Sequence, residues 1–151
     1  MIVLALIIGI VAGLRAMLAP AAIAWAAASS RLQLDGSWLA FLGYRFSPWV
    51  LSLLAVGELV TDQLPSTPSR KVPVQFGARL VSGGVCGAAI GVGSGSWVIG
   101  LLLGLVGTVI GTLGGAAARA RLAAAFGSDR PAALVEDAVA ILAAAAVVLM
   151  L

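Results

Sequence analysis

The residues able to do chemistry in this chain are charged side chains set inside apolar stretches: Arg15, Glu58, Asp62, Arg79, Glu136 and Asp137. Glu58 and Asp62 are four apart, which on a helix puts both carboxylates on one face, with Thr61 beside them. Glu136 and Asp137 are adjacent and diverge by about 100° around a helix, so one is expected to face a pocket and the other a neighbouring helix. Arginine is the natural partner of either pair, because its planar guanidinium meets carboxylates bidentately. An ionised side chain facing lipid costs at least about 2.5–3.5 kcal/mol near a helix centre, so these groups are expected to turn inward and pair, or to line a wet cavity. Four acids against two arginines leave an excess of negative charge, which favours a bound cation or a protonated carboxylate. A plainer reading is that the arginines clamp helices through buried ion pairs and bind nothing.

The elements that must carry these groups follow from composition. The 151 residues are 62% hydrophobic and 10% charged, with a mean hydropathy of +1.14, against about 45–50% apolar and about 25% charged in soluble domains. This is the composition of an integral membrane protein. Stretches at about 2–28, 48–64, 73–92, 97–118 and 131–151 each approach the ~17–25 residues that a helix needs to cross the hydrocarbon. The fold expected is therefore an all-α membrane protein, a single domain of about five transmembrane helices. Between the first two, GSWLAFLGYRF at 36–46, with Trp38, Tyr44 and nearby Trp49, is too short to span and suits an interfacial or re-entrant segment.

MIVLALIIGIVAGLRAML lacks the basic start of a signal peptide and reads as a retained first helix. The chain has no His and one Cys, Cys86, in an apolar helix, which removes His-based zinc sites, Cys/His dyads and an intramolecular disulfide. The formal charge of +3 comes from loop arginines and reads as a topology signal, not as a nucleic-acid footprint. Arg70, Lys71, Arg119, Arg121 and Arg130 fall on one side of a five-span arrangement, Arg31 and Arg45 on the other. The positive-inside rule then puts the N-terminus in the cytoplasm and the C-terminus outside.

Depth groups the charges. Arg79, Glu136 and Glu58 each lie five or six residues from a cytoplasmic helix end, about 9 Å below the surface at ~1.5 Å per residue. Asp62 is one turn shallower, and Arg15 is deeper, near the midplane for a first helix that starts at the membrane face, though Arg15 and Pro20 interrupt that stretch. The expectation is a polar pocket open to the cytoplasm. Glycine is patterned as well. Gly100, Gly104, Gly107, Gly111 and Gly114 recur at spacings of four and three, and Gly83, Gly87 and Gly91 form GxxxGxxxG, with Gly9 and Gly13 in the first helix. Such glycine-zipper stripes let helix backbones approach closely, within one protomer or between copies, a dimer first among them. A glycine-lined pore is the third reading. A short internal echo, GLRAM against GARLV and GSWLAFLG against GSWVIGLL, hints at two related halves.

Gly13-Leu-Arg15-Ala, Glu58-Leu-Val-Thr-Asp62-Gln-Leu-Pro65, Gly77-Ala-Arg79 and Glu136-Asp137 together resemble a bacterial integral-membrane family known as domain of unknown function 4126. The resemblance covers most of the chain. It implies a compact helical domain of the bacterial inner membrane and marks the same charged residues, and it brings no activity.

Three functions follow. The first is a transporter or channel-like carrier of a cation, proton or small polar solute, with Glu58, Asp62, Arg79, Glu136 and Asp137 as a half-site and Arg15 at mid-depth. The second is a protein or enzyme handling a phospholipid or isoprenoid headgroup, against which stand the missing DxxxD motif, His and phosphate loop. The third is a structural subunit of a membrane complex. Catalysis is the weaker expectation, and no cofactor is implied.

Overall fold

The computed structural model describes residues 1–61 and 73–151; Asp62, Pro65, Arg70 and Lys71 lie outside the described residues. Six α-helices follow in order: α1 Ile2–Leu14, α2 Leu18–Ala28, α3 Ser47–Thr61, α4 Pro73–Gly93, α5 Trp97–Phe126 and α6 Asp129–Met150, with a short 3-10 turn at Ala40–Gly43. The described residues contain no strand. Of these helices, α4, α5 and α6 are long and apolar enough to cross a membrane. Local chemistry sets several ends: Pro73 opens α4, where its missing N–H is no loss. Gly127, at φ 75, takes the left-handed conformation that stops α5. Asp129 sits in the first turn of α6, where the helix dipole favours a negative charge.

The stretch 2–28 is not one rod. Arg15 adopts an extended conformation, φ −143 and ψ 112, and separates α1 from α2. Contacts fix the direction of each half. An ideal Cβ on Gly9 would lie 2.3 Å from the Gly104 carbonyl oxygen, and one on Gly13 would lie 2.5 Å from that of Thr108, so α1 runs parallel to α5. Past the break, Ser82 donates to the Ala16 carbonyl, while a Cβ on Gly93 would lie 3.0 Å from the Leu32 side chain. Thus α2 runs parallel to α4, which is itself antiparallel to α5 through the pairs Gly83–Thr108, Gly87–Gly100 and Gly91–Trp97. Helices α1 and α2 therefore form a hairpin that enters the bundle and returns to the end where it began.

This corrects two sequence-based expectations. The stretch 2–28 is a hairpin and not one continuous helix, and the two chain ends lie at the same end of the bundle: Met1 is 3.8 Å from a Cβ on Gly93, and Arg31 just past α2 donates to the Leu149 carbonyl at 3.4 Å. The physical reason is that an apolar stretch of this composition gains equally from dipping and from spanning; Pro20, which cannot donate to the Ala16 carbonyl, and the polar contacts at Arg15 select the turn. The aromatic segment does not enter the bundle. Its Trp38 packs edge-on against Trp97, the first residue of α5, at 5.8 Å, while Leu34, Leu39 and Leu42 are buried beneath it. It caps the same end as Met1. Helix α5 also runs past the expected end at 118, through Arg119 and Arg121 to Phe126, so these arginines stand on a helix and not in a loop.

The core is made of close backbone contacts. Gly100 and Gly104 meet Gly87, Gly91 and Gly83 of α4, and Gly107 and Gly111 meet Leu6 and Ile10 of α1, with hypothetical Cβ-to-carbonyl distances of 2.1–2.3 Å on the α5 side. The glycine stripe of α5 thus serves two neighbours within the chain. Gly114 departs from the expected pattern, having nothing within 4 Å. It lies beyond the tip of α1, on a side of α5 that the described residues leave open.

A charged cluster at the helix break

The break leaves backbone groups that a continuous helix would have paired, and side chains from three other helices take them up. Glu58 of α3 accepts from both half-helix N–H groups, Ala16 at 2.8 Å and Met17 at 2.7 Å. These donors open α2, so its dipole and free N–H groups face the carboxylate. Arg79 of α4 donates from Nη1 to the Gly13 carbonyl at 2.8 Å, and Thr112 of α5 donates to the same oxygen at 3.4 Å. Ser82 holds the Ala16 carbonyl, and Arg15 donates to the Leu14 carbonyl at 3.1 Å. Non-helical backbone at membrane depth is tolerated where protein or a wet cavity surrounds it in this way.

The side chain of Arg15 turns to α6. Its Nε donates to Asp137 Oδ1 at 2.7 Å, Nη2 also pairs with that oxygen, and Nη1 donates to Glu136 Oε1 at 3.2 Å. The expectation that Glu136 and Asp137 would diverge to different neighbours is overturned: one guanidinium spans the ~100° between them. Arg79 Nη2 lies 3.8 Å from Glu58 Oε1, a looser pair than the carboxylate's contacts with the backbone. Five of the six charged residues singled out by sequence come together here; Asp62 lies outside the described residues.

Exposure grades the members. The Arg15 side chain is 0% exposed, whereas Asp137 and Glu58 keep 13% and 15%. These two acids are therefore the members most able to exchange with solvent or ligand. Beside Glu136 a cavity of about 120 Å³ is lined by Leu14, Val135 and Val139 and reaches Arg119, toward the far end of α5. Its wall is apolar, the polar atoms of Glu136 and Arg119 contributing no surface to it. Three carboxylates face two guanidiniums among the described members, so the cluster carries one negative charge in excess when all are ionised. Among the described residues no group of three or more His, Cys, Asp or Glu side chains is placed to hold a metal ion.

Ser82, Thr112 and the backbone of Gly13, Ala16 and Met17 escaped the sequence reading. Ser82 follows Arg79 by three residues and so shares its helix face, a signal that was available. The break had its own signal in Pro20, which interrupts the stretch because it has no N–H for the Ala16 carbonyl and its ring crowds a helical carbonyl four residues back. Comparison of the chain with protein-family models, with curated proteins and with solved structures finds no match in any of the three.

Proposed function

We propose that the protein is a small membrane carrier for a proton or cation, built as four crossings, α3 to α6, around a re-entrant α1–α2 hairpin whose tip is the transport site. The observation that carries this reading is the unwound tip at Arg15, where carboxylates and non-helical backbone groups meet. Discontinuous helices of this kind form substrate and coupling-ion sites in secondary transporters. By the rise per residue, the tip stands about 20 Å from the hairpin's entry end and about 9 Å from the start of α4. Glu58 and Asp137, the acids that keep some exposure, supply a place for one proton or monovalent cation.

In this reading Arg119, Arg121 and Arg130 mark the cytoplasmic face, so both chain ends and the hairpin mouth lie outside. Arg15, Glu58, Arg79, Glu136 and Asp137, which belong to the motifs that resemble domain of unknown function 4126, meet in this cluster, and we take membership of that family, and a bacterial inner-membrane location, as part of the same proposal. The test is flux in liposomes, using a pH-sensitive dye for protons and a set of alkali cations. The reconstituted wild type is expected to pass one of these, and Glu58→Gln and Asp137→Asn to lower the rate at least about tenfold, while circular dichroism stays helical. Absence of flux, or flux unchanged in both variants, leaves the cluster as a clamp and overturns the proposal.

A further inference from the structure

Helix α3 is attached at its two ends and open in between. At the entry end Trp49 packs edge-on against Trp25 at 5.1 Å, and Trp25 Nε1 donates to Ser52 at 2.8 Å. At the other end Glu58 holds the start of α2. Of the helix's own residues only Pro48 and Ala55 are buried. Between these attachments, α2, α3 and α6 leave a groove of about 520 Å³, running from Leu18, Leu59 and Ile141 near the tip to Trp25 and Leu149 at the entry end. Apart from Ser52, whose hydroxyl is occupied by Trp25, its wall offers no polar side chain. From Ile141 to Leu149 it measures about 12 Å along the helix axis, the direction in which a lipid chain descends from its headgroup.

A positive charge stands at the entry end of that groove. The exposed Arg31 guanidinium donates from Nη1 to the carbonyl of Leu149, itself a lining residue, at 3.4 Å. The Trp25–Trp49 pair lies at the same level, as aromatic residues do at the headgroup boundary. A guanidinium over an apolar slot between spanning helices is complementary to one class of molecule, a lipid with an anionic phosphate above and a hydrocarbon chain below. We propose that this groove is a binding site for an anionic phospholipid, one acyl chain lying between α2, α3 and α6 and the phosphate paired with Arg31. The lipid would fill the side of α3 that the protein leaves open, and so brace the helix that carries Glu58.

The purified full-length chain in non-ionic detergent is titrated with phosphatidylglycerol, with phosphatidylcholine of the same acyl chains, and with inorganic phosphate. Binding is read by native mass spectrometry and by the unfolding midpoint. Phosphatidylglycerol is expected to bind at least about tenfold more tightly than phosphatidylcholine, the scale of one charge-assisted contact. Arg31→Gln should abolish that preference. Ala145→Trp, which fills the groove from the α6 wall, should abolish binding of both lipids, and Ala22→Leu from the α2 wall carries the same expectation should the first variant unfold. Equal affinity for the two lipids, a preference that survives Arg31→Gln, or binding that survives both groove-filling variants overturns the proposal. So does an equal midpoint shift from phosphate alone, or a lipid-independent dimer lost on filling the groove.

Discussion

Arg15 illustrates how one side chain decides the path of a backbone. Its guanidinium reaches Asp137 and Glu136 of α6, and it has no exposed surface. Removing one partner of such a buried pair is strongly destabilising because the remaining charges are left uncompensated. Arg15→Ala is therefore expected to cost about 3–5 kcal/mol, read as a lowered unfolding midpoint in detergent. Arg15→Lys keeps the charge but cannot present the guanidinium fork to two carboxylates, and should fall between wild type and Arg15→Ala. Equal loss in the two variants would mean that charge at this position does not matter. Glu58 works differently: its carboxylate substitutes for the helical carbonyls that Ala16 and Met17 would otherwise bond. The sequence marked both residues by their improbability in an apolar stretch. It did not reveal that the partner of Glu58 is mainly backbone, since backbone donors have no letter.

At the scale of the element, α5 is the post against which α1 and α4 lean, and glycine makes the approach possible. A methyl group on Gly104 would lie 2.1 Å from the Gly83 carbonyl oxygen, a distance that only separation of α4 from α5 can relieve. Gly104→Ala is expected to destabilise by about 1–3 kcal/mol, the usual cost of overpacking. Gly114→Ala meets open space, and by helix propensity it should be neutral or stabilising by up to about 1 kcal/mol. Thermal unfolding of the pair in one detergent tests the contrast, and similar destabilisation by both would contradict the packing described. The spacing of four and three foretold a packed face. It could not divide that face between two neighbours or show that it ends at Gly111, because periodicity describes one helix and not what lies beside it.

For the whole molecule, the hairpin changes the sidedness of the chain. Ile2 and Leu149 stand at one end and Arg121 near the other, as the contacts of Met1 with Gly93 and of Arg31 with Leu149 require. Cys86 is fully buried, so cysteines introduced singly can be read against a silent background. In sealed vesicles, a membrane-impermeant thiol reagent is expected to label Ile2→Cys and Leu149→Cys from one side and Arg121→Cys from the other. Labelling of Ile2→Cys and Leu149→Cys from opposite sides would restore a crossing first span and exclude the hairpin.

By itself the sequence determined the solvent for which this chain is made, the helical class, and the charged residues that matter. All three follow from transfer free energy, which is a property of each residue and each stretch. The tertiary structure alone decided that 2–28 turns back at Arg15, that one arginine takes both acids of α6, and that Glu58 closes the start of α2. A long apolar stretch satisfies the hydrocarbon whether it crosses or returns. The choice is made by hydrogen bonds that Glu58 accepts from, and Arg79, Ser82 and Thr112 donate to, a few unwound backbone groups, brought together only when α3, α4 and α5 pack around them.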